Sequence, residues 1–322
     1  MRFGIAGERT GIGLSPRRLS RTNRSAYRDA RLSFRAAYDR SCPMALKPER
    51  ILRRLVPSGA RLTYNPVFKI AVNAADWPVR RFFPEFRALP PNHLRIRVGV
   101  RNAVFRNQLN HLISPARFWM FAFANDWCDL DSTIIDIGCG CGRYAASLRD
   151  LSMGDLSYRA HYYGVDIDTE MIAWCKDHFD APRFTFFQAT GRSVTYHQGS
   201  GSEKPYEIPL PDATADFVFS TSLFTHLLEH DLANYVVEIG RLLRPGGCAV
   251  HSFFSLDHLP TSYGGRHTFR FAYGEARVES LRQPEAAVAY RDDYIATLFA
   301  QAGLDEVTFL GGEQRTVLAR RS

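Results

Sequence analysis

The chain has 322 residues, 45% of them apolar and 23% charged, close to the globular averages of about 45 to 50% and about 25%, so wholesale disorder, a collagen-like repeat and a membrane bundle are excluded. The longest strongly apolar cluster, Phe118 to Ala124, falls far short of the roughly 20 residues that span a bilayer, and no transmembrane anchoring is expected. The formal charge of +8 is unevenly spread: residues 1–110 hold 23 basic and 6 acidic side chains, a net of +17, and residues 111–322 hold 18 and 27, a net of −9. An Arg-rich front of this kind steers toward nucleic acid, anionic lipid or a phosphorylated substrate.

Residues 1–45 are expected to be a basic, flexible segment. Gly4, Gly7, Gly11 and Gly13 precede a run of Arg and Ser, and no GK[ST] follows, so the phosphate-loop pattern is absent. Met1 to Arg40 is poor in acid and fits an organelle transit peptide in composition alone; a bland basic tail is the simpler reading. Residues 46–131 read as a cap or lead-in region. Short apolar pieces such as Phe68 to Val72 are interrupted by Pro66, Pro78, Pro84, Pro90 and Pro91, a density that argues against long helices. Over Asn102 to Ala124, Val104, Phe105, Leu109, Leu112 and Ile113 recur at helical spacing and predict a helix covering one face of the C-terminal part of the chain. Phe118, Trp119, Phe121 and Phe123 suit core packing, and His111 reads as a surface or packing residue.

From residue 132 to the end, short apolar strands alternate with amphipathic helices, the pattern of a parallel α/β sheet. The expected strands are Thr133 to Ile137, Tyr162 to Val165, Arg183 to Gln188, Asp216 to Ser220 and Cys248 to Phe254. Helices are expected over Arg143 to Leu151, after Asp168 as cap with Met171, Ile172, Cys175 and Phe179 on one face, and after Asp231 as cap until Pro245, Gly246 and Gly247. The polar stretch Gly191 to Lys204 reads as a loop. Residues 255–291 read as an insertion. A helix near Asp292 to Ala302 leads to Val307 to Leu310 and Thr316 to Ala319, joined by Gly311 and Gly312 as an antiparallel ending. The expected fold is thus α/β, a Rossmann-like doubly wound sheet of seven strands, mostly parallel, behind a basic N-terminal extension.

The chemistry concentrates in Asp136-Ile137-Gly138-Cys139-Gly140-Cys141-Gly142-Arg143, where a strand end passes through three alternating glycines into a helix. Glycines let the backbone approach a ligand closely and leave helix N-terminal N–H groups for its polar end. Gly140-x-Gly142-x-x-Ala145 also fits the permissive dinucleotide pattern. Six cysteines without a CxxC pair point to a reducing compartment and a cytoplasmic chain. Cys139 and Cys141 lack the partners a zinc site needs, and no metal is expected. Asp166, thirty residues after Asp136, ends the second strand where it can accept from both hydroxyls of a ribose.

With Leu243-Arg244-Pro245-Gly246-Gly247 before the fifth strand, the chain resembles the class I S-adenosylmethionine-dependent methyltransferases over about Ser132 to Arg320, with Asn102 to Trp127 as the helical lead-in over the cofactor. The resemblance implies S-adenosyl-L-methionine as cofactor, with Asp136 and the Gly138, Cys139 and Gly140 backbone at the methionine portion. It implies Asp166 on the ribose and Ile167 and Met171 flanking adenine. Thr190 stands where many members carry an acid for the adenine amino group, so the Ala189 backbone is the substitute, and Ser220 and Thr221 would face the sulfonium side.

Ser222-Leu223-Phe224-Thr225-His226-Leu227, Tyr235, Glu238-Ile239-x-Arg241 and Pro284-Glu285-x-x-Val288-Ala289-Tyr290 look like a bacterial small-molecule subgroup associated with polysaccharide and natural-product clusters. O-methylation of a small or sugar-containing metabolite is the expectation. His226 is the first candidate base, weighed evenly against a locally bonded histidine, and His258 is the second; Glu285 and Tyr290 are either cavity-lining or structural. Nucleic-acid methylation, a non-catalytic cofactor-binding scaffold and NAD-dependent redox chemistry are the alternatives. Strand four ends in Ser-Thr-Ser-Leu-Phe, without the Asn/Asp-Pro-Pro-aromatic motif of base amino-group methylases, and no Pro-Cys nucleophile is present.

Overall fold

The computed structural model describes residues 63–99, 108–152, 154–189, 206–258, 267–311 and 314–322. The chain divides into two compact units, 1–57 and 58–322, and all described residues lie in the second. The segment 1–45, Val104, Phe105, Thr190, the loop 191–204, Tyr263 to Gly265 and Gly312 lie outside them.

The five central strands form as the apolar runs require: β1 (Ile134–Ile137), β2 (Tyr162–Asp166), β3 (Phe184–Gln188), β4 (Ala215–Ser220) and β5 (Leu243–Ser255). Their order is β3-β2-β1-β4-β5, all neighbours parallel. The chain therefore winds outward from β1 in both directions and leaves a crevice between the carboxyl ends of β1 and β4, where open α/β sheets bind ligands. β9 (Thr308–Leu310) and β10 (Arg315–Arg320) supply the antiparallel ending, β10 pairing with β5. The insertion adds what the sequence did not announce: β6 (Phe271–Tyr273), β7 (Ala276–Val278) and β8 (Val288–Tyr290) extend the sheet to ten strands, with β8 parallel to the end of β5.

Seven helices accompany the strands among the described residues: α1 (Pro66–Phe82), α2 (Asn92–Arg97), α3 (Gln108–Ala124), α4 (Arg143–Arg149), α5 (Thr169–His178), α6 (Glu229–Leu242) and α7 (Asp292–Gln301). On one sheet face Ile135, Val218 and Phe253 pack with Leu232, Ile239 and Phe299 of α6 and α7. On the other Ile134, Tyr162 and Phe217 pack with Trp119, Leu148 and Ile172 of α3, α4 and α5. The period-2 alternation of the strands assigns the two faces.

Four expectations change. Helix α1 runs 17 residues despite its prolines, because Pro66 occupies the first helical position, where its missing N–H has no intrahelical partner to lose, and Asn65 caps Val67 and Phe68. In α3, Leu112 and Ile113 face outward and His111, Trp119 and Ala122 face in; Phe121 is half exposed. Helix α6 begins at Glu229, so Asp231 lies inside its first turn and does not cap it; there it still complements the positive end of the helix dipole. The Arg244 to Gly247 turn is absorbed into the start of β5 as an irregularity in its pairing with β4.

The N-terminal helices are fixed to the sheet domain by charge. Arg97 places Nη1 3.0 Å from Asp168 Oδ2 and Nη2 2.5 Å from Glu170 Oε2, and its guanidinium lies 3.8 Å above the Tyr64 ring. Asp168 meanwhile caps α5 through Glu170 N and Met171 N and accepts from Tyr64 Oη at 2.8 Å. Both partners of the Arg97–Asp168 pair are buried, so removing one strands the other. Arg97→Met is expected to cost about 3 kcal/mol in urea unfolding; a loss below about 1 kcal/mol, the worth of an exposed pair, would contradict the anchoring role.

Candidate active site

The turn after β1 is built from three left-handed glycines, Gly138 (φ 80°), Gly140 (φ 57°) and Gly142 (φ 72°), a region closed to most other residues. Its N–H groups are more committed than the sequence suggests. Gly138 N and Cys139 N both donate to the Val165 carbonyl (2.7 and 3.0 Å), and Gly142 N donates to Cys139 O (3.1 Å). Gly140 N donates to Asp166 Oδ2 at 2.7 Å, and Asp168 N to Asp166 Oδ1 at 2.9 Å. The turn thus binds β2 first, and what it offers a ligand is mainly carboxylate.

Asp136 and Asp166 stand on either side of this turn. Asp136 is buried and accepts a 2.5 Å hydrogen bond from Tyr162 Oη. Burial raises it to about 7, the Tyr162 bond and the Arg143 charge pulling the other way. Asp166 is raised to about 6 by burial, opposed by the backbone donors of Asp168 and Gly140. Two carboxyls held near neutrality in one crevice are a binding-site signature, since a cationic or hydroxyl-bearing ligand would stabilise their charged forms.

The lid over the turn comes from earlier in the chain than expected. Leu94 of α2 packs with Cys141 and Met171, with Val98 alongside, and a Cβ at Gly140 would stand 2.5 Å from Val98 Cγ1. Glycine is therefore required here by contact as well as by φ. On the other side Leu223, after β4, lies against Gly138. Helix α3 instead packs behind α4, donating from Trp119 Nε1 to Tyr144 O at 3.0 Å. Burial pushes the Cys139 and Cys141 thiols upward; they are protonated fillers of a tight loop, as expected, and poor nucleophiles.

Of the remaining expected cofactor residues, Met171 is buried against the turn and Ile167 is partly buried. Ala189 is buried, but its N–H donates to Asp166 O at 2.9 Å, leaving its carbonyl for any ligand. Ser220 Oγ meets His251 Nδ1 at 2.8 Å, both residues buried, while Thr221 Oγ1 is buried without a hydrogen-bond partner. Next to it Ser222 holds φ 61°, a strained setting for a residue with a side chain, fixed by its N–H on Ser252 Oγ at 2.7 Å.

His226 and Glu285 come together. His226 Nδ1 lies 2.9 Å from the Glu285 carbonyl; a carbonyl only accepts, so Nδ1 carries the proton and Nε2 is the basic nitrogen. Burial lowers its pKa, partly offset by Glu285, so the ring is neutral at physiological pH. Tyr290 Oη donates to Leu227 O at 2.9 Å, a structural role. His258 is exposed beyond β5 and does not join this group. His111, which the sequence assigns to packing or surface, is buried with Nδ1 unpartnered; burial first, then the Arg143 and Arg95 charges, hold it down at about 3.

Residues 135–251 match the methyltransferase domain family. Over those residues the chain carries a methyltransferase domain. Similar solved structures include an S-adenosylmethionine-dependent methyltransferase of Methanosarcina mazei (17% identity, 62% of this chain and 96% of that one, TM-score 0.41). Others are an O-methyltransferase family protein of Burkholderia thailandensis (15%, 79% and 71%, 0.45) and the 1,6-didemethyltoxoflavin-N1-methyltransferase of the same organism, with bound S-adenosylhomocysteine (15%, 66% and 78%, 0.39).

The Asp136 carboxyl gives the chain a measurable pH dependence. Its raised native pKa, against about 3.9 unfolded, means the native state holds the proton more tightly. Its contribution to stability therefore falls as pH rises from about 4 to about 7 and is level above. Asp136→Asn, measured without ligand, should gain on the parent across that window, by on the order of 4 kcal/mol at pH 8; a difference independent of pH would contradict the buried-carboxyl reading.

Proposed function

We propose that the crevice between β1 and β4 holds S-adenosylmethionine and that the chain methylates a hydroxyl of a small, sugar-containing or otherwise polar metabolite. The observation that supports this reading best is the pair of raised carboxyls, Asp136 and Asp166, on either side of a left-handed glycine turn. The group fits these residues: Asp136 suits its ammonium, the second lone pairs of the Asp166 oxygens suit ribose hydroxyls, and Arg143 with the unpartnered His111 Nδ1 suits its carboxylate. Met171 and Ile167 would flank the adenine, and the Gly138, Cys139 and Gly140 backbone would lie at the methionine portion. When bound, the cofactor supplies a methyl group already activated by its sulfonium.

The chain's own contribution is placement and proton removal. Positioning the acceptor in line supplies much of the acceleration. A hydroxyl acceptor must also lose its proton, and His226, held as the Nδ1–H tautomer by Glu285 O, presents Nε2 as base. His258 is the lesser candidate, being exposed. Thr221, whose Oγ1 is buried without a partner, would face the sulfonium side. Domain limits of 46–131 for the lead-in and 132–322 for the catalytic part, with the insertion at 255–291, remain the proposed division.

Radiolabelled methyl transfer over a panel of hydroxylated metabolites tests the acceptor class. With a responding acceptor, His226→Ala should keep S-adenosylhomocysteine affinity and lower turnover roughly 100- to 10,000-fold. Turnover near that of the parent would remove His226 from the chemistry and leave placement alone.

A further inference from the structure

Helix α1 faces the wrong way for a core helix. Its polar stripe points into the protein: Asp76 meets buried Arg95 at 2.5 Å and Arg80 at 2.9 Å, Asn73 meets His93 at 3.0 Å, and Lys69 pairs with Glu170. Its apolar stripe points out, with Val67 at 74%, Ile70 at 70%, Trp77 at 63% and Phe82 at 71% exposure. Ala71, Ala74, Ala75 and Pro78 fill the space between them and are also exposed. At 3.6 residues per turn these positions form one arc of nearly half the helix circumference, and Arg81 is its single charge. Phe83, half exposed, continues it past the helix end. A soluble domain normally turns such a stripe inward, so a contiguous outward one marks an interaction surface.

We propose that this face of α1 docks on an anionic lipid surface. Charge decides the occupant. Residues 1–110 carry a net +17, and no acidic side chain lies on the exposed arc, while Arg81 and Arg87 are exposed at its C-terminal end. A second copy of the chain would bring Arg81 and Arg87 again and no acid on its own arc to meet them. Nucleic acid phosphates would be met by Val67, Ile70 and Trp77 where they need cations. An apolar arc that ends in aromatic side chains and two exposed arginines matches the layered chemistry of a bilayer interface, acyl chains beneath anionic headgroups. Because α2 joins α1 through Asp76–Arg95 and covers the glycine turn through Leu94, docking would hold the crevice close to the lipid surface.

The test uses the full chain and sedimentation with vesicles of phosphatidylcholine, with and without phosphatidylglycerol. Binding is expected only with the anionic lipid and is expected to weaken at high salt. Trp77 is the exposed one of four tryptophans, so vesicle addition should shift emission to the blue, and Trp77→Phe should remove the shift while keeping binding. Ile70→Glu/Trp77→Glu alters exposed positions, should leave the melting temperature unchanged, and should weaken partitioning about tenfold or more. Binding unaltered by the double variant would overturn the proposal by assigning it to the Arg-rich segment alone. It is overturned equally by no vesicle binding, by a lipid-free dimer that the double variant disperses, or by duplex RNA binding that the double variant abolishes.

Discussion

The Gly140 N–H reaches Asp166 Oδ2 across 2.7 Å, and that contact joins the turn after β1 to the end of β2. It requires Gly140 in the left-handed region, and its geometry is repeated by Gly138 and Gly142 on either side. Once made, it orients Asp166 so that its other oxygen receives Asp168 N, which sets Asp168 at the start of α5. Asp168 in turn is the carboxylate that Arg97 grips. The position of α2 over the turn thus follows, link by link, from one backbone hydrogen bond to one carboxylate. The sheet supplies the frame, and this chain of contacts supplies the crevice.

Charge is held in that crevice at a cost to the unliganded protein. Asp136 and Asp166 are both pushed upward by burial, and the large two-sided core around the sheet keeps them there. A positively charged ligand relieves the penalty, which is a reason for affinity that does not depend on contact area. Burial keeps His226 neutral as well, so the proposed cofactor binding and the proposed proton transfer would draw on opposite consequences of desolvation.

The five central strands were legible because short apolar runs bounded by turn residues have few other outcomes, and the acid-glycine spacing of residues 136–142 is specific enough to mark a candidate site. The rest depended on distant partners. Three-residue strands such as β6 and β7 are too short to show a period. Arg97 carries no local mark of pairing with residues about seventy positions later. In α3 the spacing of Leu112 and Ile113 suggested a buried face, yet His111 was turned inward with Trp119, because the packing of Trp119 on α4 sets which face of the helix is inward. Ser220 was placed by its strand end, but its engagement by His251 depends on the register of β4 against β5, which no local pattern fixes.

Asp166 is the group proposed to read the cofactor's ribose, and calorimetric titration of the full chain with S-adenosylhomocysteine tests that role most directly. Replacing Asp166 by Ala leaves the ribose hydroxyls without their acceptor and should weaken binding by about 1 to 3 kcal/mol while the sheet stays folded. Equal affinity in Asp166→Ala and the parent would contradict the assignment.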